Sequence, residues 1–267
     1  MAGRSSTSGT PITRASPVSG DPALILLPAS DGPLLEAARA VLATPGLPPV
    51  ALVGGLAVTA RVSVAGALHR ATNDIDLVTI YLEPDPEAVE LIASAQDADA
   101  HALVVNGVKV DIIPTSPVDD ADLDGHEDRH RLFLAGHRWA FETAEQARLT
   151  VPGATPLLVQ LATPAGLVAA KSHAVGFPST TRRATKHGSD LLDLVQLVDL
   201  CGGGDALAAS LRAGPAELAR IVADVCDREI LANPIRAART IAAVAPTPID
   251  PDDIAGIVGA FVDDLRR

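Results

Sequence analysis

Residues 51–80 read ALVGGLAVTARVSVAGALHRATNDIDLVTI, and the order of features within them governs how the rest of the chain is read. An apolar run ending at Val53 meets Gly54 and Gly55. A short helical pattern follows, and Asn73-Asp74-Ile75-Asp76-Leu77-Val78 then sets two aspartates inside a hydrophobic strand. Strand side chains alternate with period two, so Asp74 and Asp76 point to the same side. Two neighbouring carboxylates repel, and the pair is costly unless a cation neutralises it. A hard divalent ion, Mg²⁺ or Mn²⁺, suits oxygen donors and keeps positions open for phosphates. Gly54 and Gly55 allow close backbone approach to a ligand, and the helix after them offers free N–H groups to an anion. A double glycine alone is usually a turn, and Asp-x-Asp alone is usually a solvated strand end. Their succession inside this hydrophobic pattern is what points to a site.

Downstream, residues 101–105 and 108–113 form a hairpin pattern across Asn106-Gly107, a strong two-residue turn signal. In its second arm Val108, Val110 and Ile112 share one face while Lys109 and Asp111 share the other, which makes Asp111 the candidate third carboxylate of a two-metal phosphoryl-transfer site. Two further strands are expected at residues 138–142 and 148–151, and a helix at 87–94. The acidic stretch 119–128 lacks calcium-loop spacing and reads as a solvated loop. Thr163-Pro164 opens a helix, and helical patterns then cover 164–174, 181–200, 205–211, 215–226, 234–244 and 251–265. Upstream, 22–27 reads as a short extended segment and 31–42 as a helix. The expected class is α/β: a flexible arm over residues 1–21, a mixed α/β core over 22–155, and an all-helical domain over 156–267.

A second candidate segment spans residues 171–187. Lys171, His173, Arg182, Arg183, Lys186 and His187 occur there without one acid, and they read as an anion-facing surface. Asp190 and Asp193 follow, three apart on one helical face. The chain has 21 basic residues, and its only lysines, Lys109, Lys171 and Lys186, all fall beside candidate site segments. A compact ammonium is well suited to a phosphate.

The residues Gly54, Gly55 and Ala57, followed by Arg70, Thr72, Asp74, Ile75, Asp76 and Leu77, resemble the signature of the DNA polymerase beta-like nucleotidyltransferase superfamily. More narrowly, they resemble the AbiEii/MenT-type nucleotidyltransferase toxins of bacterial toxin–antitoxin systems. The resemblance covers residues 48–200 and implies a nucleotidyltransferase core with a mixed sheet and flanking helices, followed by the helical domain. It implies that Asp74, Asp76 and Asp111 hold Mg²⁺ or Mn²⁺, with an NTP as co-substrate. Gly54, Gly55, Arg70, Lys171 and Asp190 would contact the nucleotide, Lys171 by neutralising the phosphates as pyrophosphate leaves. Arg70 is equally readable as a brace for its loop. Ser189 stands where the family pattern often has Lys, which leaves Asp190 and Asp193 both open as the functional carboxylate, with Asp193 preferred. The implied acceptor is the 3′ end of tRNA, the implied outcome is blocked translation, and the implied partner is a cognate antitoxin protein. The alternative acceptors are an aminoglycoside antibiotic or a protein hydroxyl. A non-catalytic binding subunit would be expected to have lost carboxylates.

Composition sets the remaining bounds. The chain has 267 residues, nearly half of them hydrophobic, and a formal charge of −12, so nucleic acid would have to be met by a local basic patch. Cys201 and Cys226 are too few for a disulfide framework or zinc site and read as small buried hydrophobes. No run approaches the ~18 apolar residues of a membrane span, and no signal-peptide pattern is seen. A cytoplasmic protein is expected.

Overall fold

The computed structural model describes residues 21–67, 70–80, 103–115, 125–178, 184–201 and 203–267. The arm before Asp21, the helix expected at 87–94, the acidic residues 119–124, and Arg182 and Arg183 lie outside them.

The chain is α/β, built on a mixed seven-stranded sheet. Strands β1 (Ala23–Leu26), β2 (Val50–Val53), β3 (Asp74–Ile80), β4 (Leu103–Val105), β5 (Val108–Thr115), β6 (Glu145–Thr150) and β7 (Leu157–Leu161) lie in the order β1-β6-β7-β2-β3-β5-β4. β2 runs antiparallel to β3, and β3 parallel to β5. The β4–β5 hairpin turns at Asn106 and Gly107, whose φ values of 52° and 79° are those of a type I′ turn.

Helix α1 (Gly32–Leu42) precedes β2, and α2 (Gly54–Val64) follows it. α2 is buried along nearly its whole length, from Gly55 to Ala60 and again at Val62. It therefore forms the joint between the sheet and the helices that follow, α4 (Pro164–Gly176) and α5 (Ala184–Leu200). Helices α6 (Gly203–Arg212), α7 (Leu218–Cys226), α8 (Pro234–Ala242) and α9 (Pro251–Leu265) complete that half, with a π-helical turn at Asp227–Leu231 linking α7 to α8. One continuous apolar core joins both halves. Among the described residues no single helix is long and apolar enough to cross a membrane.

Two expectations are corrected. The strand expected at 138–142 is the last turn and a half of helix α3 (Asp128–Glu142). Leu132, Gly136 and Ala140 recur every four residues on its buried face, and Gly136 and Gly166 let α3 and α4 cross closely against Ala169 and Ala140. The boundary at 155/156 also falls inside the sheet. β7, with alternately buried Leu157, Val159 and Leu161, is inserted between β6 and β2. All-helical structure therefore begins at Pro164.

Candidate metal centre

β3 and β5 are in register with Asp76 opposite Asp111, and Asp74 lies two residues back on the same face of β3. The pairing brings one oxygen from each of Asp74, Asp76 and Asp111 within 4.8 Å of the others. β2 lies on the other side of β3, with Val53 opposite Asp76, so the chain leaves β2 directly over the carboxylates. Gly54 stands at this exit with φ +67°, and a Cβ there would fall 1.7 Å from Asp76 Oδ2. The position needs glycine both for its backbone and for the room it leaves. A Cβ on Gly55 would meet Thr72 Oγ1 at 2.6 Å. Thr72 is buried, and its hydroxyl donates to Asp74 Oδ1 at 2.9 Å.

Charge in the triad is only partly balanced. Lys109 Nζ lies 2.5 Å from Asp111 Oδ2, and Lys186 Nζ lies 3.7 Å from Asp74 Oδ2. Burial alone would raise the Asp74 pKa, but Lys186, the Thr72 hydroxyl, Lys109 and Lys171 outweigh it and hold the group below its ordinary value. Asp76 goes the other way. Burial first, then Asp74 and Asp111, push it up to about 6 against the pull of Lys186 and Lys171. Asp111 Oδ1 is buried and makes no hydrogen bond. Three carboxylates, one with an unsatisfied buried oxygen and one reluctant to ionise, form an oxygen donor set that could hold a metal ion.

Beside the triad lies a second cluster with a different character. Arg70 Nε and Nη2 donate to the two oxygens of Asp193, each at 3.0 Å. Lys171 Nζ sits 2.6 Å from Asp193 Oδ2 and 2.9 Å from Asp190 Oδ1. Asp190 and Asp193 are fully buried, and the Lys171 side chain is 6% exposed. Burial opposes the Lys171 charge, but Asp193 and Asp190 more than offset it, so its pKa lies above the ordinary lysine value. Arg70 behaves likewise, burial being outweighed mainly by Asp193.

The structure thus sorts the candidate residues into two groups. Gly54, Asp74, Asp76 and Asp111 converge on one point, Arg70, Lys171, Asp190 and Asp193 form the adjoining network, and Gly55 lies against Thr72 and Arg70 between them. The fork of Arg70 is engaged by Asp193, an arrangement that suits a brace for the loop before β3. The single anion-facing surface expected over 171–187 is not what its described members form. Lys171 lies on the stripe of α4 that buries Leu167, Val168 and Val175, and turns inward. His173 packs edge-on against Phe133, with ring centroids 5.2 Å apart. Lys186 faces Asp74. Lys109 meets Asp111 on the strand face that alternation gives them in common, whereas Lys186 reaches Asp74 from a distant helix, which local spacing does not reveal.

No family model, curated protein or solved structure matches the chain. Chemistry and geometry therefore carry the reading of the site.

Proposed function

We propose that the chain is a metal-dependent nucleotidyltransferase with a polymerase beta-like core, transferring a nucleotide from an NTP to the 3′ end of tRNA in the cytoplasm. The observation that carries this reading is the convergence of Asp74, Asp76 and Asp111 beneath Gly54. Mg²⁺ or Mn²⁺ held by these three carboxylates would polarise the phosphoryl oxygens of the NTP as a Lewis acid.

The chain's own groups supply the rest. α2 begins at Gly54 with no side-chain cap, so its first N–H groups are available to the triphosphate. Thr72 fixes the Asp74 carboxylate through the hydrogen bond to Oδ1. The attacking 3′-hydroxyl forms a bond to the α-phosphorus as the bond to the bridging oxygen breaks and pyrophosphate leaves. Asp111, opposite Asp76 on β5, would help take its proton. Arg70, Asp193, Lys171 and Asp190 hold α4, α5 and the loop before β3 in one frame, so that the reacting groups meet already positioned. Phosphoryl transfer depends mainly on such positioning and on charge stabilisation.

The tRNA acceptor, the role as toxin of a toxin–antitoxin pair and the antitoxin partner rest on the resemblance of residues 48–200. The test is incorporation of label from each α-³²P-NTP into total tRNA with Mg²⁺, beside Asp74→Ala. Label in tRNA that disappears in the variant supports the proposal. No label in tRNA from an active, metal-binding preparation excludes that acceptor.

A further inference from the structure

The chain's three lysines all end against carboxylates of the two clusters, but on different terms. Lys171 is sealed between Asp190 and Asp193. Lys109 and Lys186 each lie beside one triad carboxylate, with side chains 49% and 37% exposed. They come from different elements, Lys109 from β5 and Lys186 from the first turn of α5, and meet different members of the triad, Asp111 and Asp74. Everywhere else in the chain the basic residue is arginine. An arginine fork would lock onto a carboxylate in two-point geometry, whereas an ammonium on a flexible stem is a point charge that can change partners. Exposed ion pairs of this kind are weak and can be surrendered.

We infer that Lys109 and Lys186 are phosphate-binding residues which, in the metal-free chain, stand in for the cation of the triad. When a divalent ion takes the carboxylates, both ammoniums are released beside it, where the triphosphate of a nucleotide must lie. The inference rests on the nucleotidyltransferase reading and adds to it two binding residues and their exchange of partners. It also explains why an acidic chain keeps lysine at these two positions. The local charge of the triad is offset while the site is empty of substrate, and the same charges then receive the tetra-anion.

The prediction has opposite signs for two ligands. In the Lys109→Gln/Lys186→Gln double variant, Mn²⁺ alone should bind more tightly, by about 3–10-fold, because competing cations are gone. Mg²⁺-tripolyphosphate, a base-independent probe, should bind at least about tenfold more weakly, because two charged contacts are lost. Both are measured by calorimetry on the full chain, with circular dichroism to confirm folding. The Lys→Arg double variant keeps both charges but should recover little of the tripolyphosphate affinity, because its forks stay locked on the carboxylates. Tripolyphosphate binding that is unchanged, or that rises together with Mn²⁺ binding, overturns the inference and leaves the nucleotidyltransferase reading intact. Wild-type chain that binds Mn²⁺ but no tripolyphosphate overturns the premise, and the inference with it.

Discussion

The carboxylate triad and the Arg70–Asp193–Lys171–Asp190 network use the same residue types and adjoin each other, yet they are finished differently. In the network two acids meet two bases, the hydrogen bonds to Asp193 are bidentate, and the acids are sealed from water. In the triad three acids meet two half-exposed lysines, and Asp76 is pushed up to about 6 by burial beside its neighbours. A closed, balanced cluster holds helices together. An open, unbalanced one is an arrangement that could take up a cation. The proposed function places chemistry in the open cluster and the framing of the helices in the closed one, among aspartates that look alike in the sequence.

Substitutions should break the two clusters in different ways. Asp74→Ala or Asp76→Ala should lower nucleotide transfer by about 10³-fold or more while the circular dichroism spectrum and urea midpoint stay near wild type. Asp193→Ala should instead strike the fold, costing about 3–5 kcal/mol in urea denaturation, because it leaves Lys171 and Arg70 buried without their shared partner. Equal loss of stability in Asp74→Ala and Asp193→Ala would erase the distinction. Gly54→Ala should weaken Mn²⁺ binding by about tenfold or more, since its methyl group would displace the Asp76 carboxylate and strain a left-handed residue.

The smallest effect sharpens the contrast through pH. The folded chain holds the Asp76 proton more tightly than the unfolded chain, so this group's contribution to stability falls as pH rises from 3.8 to about 6. Asp76→Asn should therefore stabilise the metal-free protein at pH 7.5, by about 1–3 kcal/mol, and bring no gain near pH 4. Mg²⁺ should raise the melting temperature of wild type and leave that of the variant unmoved.

The sheet-centre half of the site was legible because its signals are local. Period-two alternation put Asp74 with Asp76 and Lys109 with Asp111, and Asn106-Gly107 fixed the hairpin. What escaped depended on distant partners. β7 is a five-residue alternating segment whose place between β2 and β6 is set by strands over a hundred and about ten residues away. The end of α3, residues 138–142, reads as a strand in the sequence because charged and aromatic residues interrupt a helical stripe held mainly by small residues against α4. Lys171 was assigned to a surface on charge alone, although Leu167, Val168 and Val175 place it on the buried face of its helix. Its partners Asp190 and Asp193 lie on another helix, and neither helix alone reveals the pairing.

The central claim is that Asp74, Asp76 and Asp111 form a metal centre. Anomalous scattering from crystals soaked in MnCl₂ and recorded at the manganese edge tests it most directly. A peak is expected within coordination distance of all three carboxylates, absent from Asp76→Asn crystals. Well-diffracting soaked crystals with no peak between β3 and β5, or with one that survives in Asp76→Asn, would contradict it.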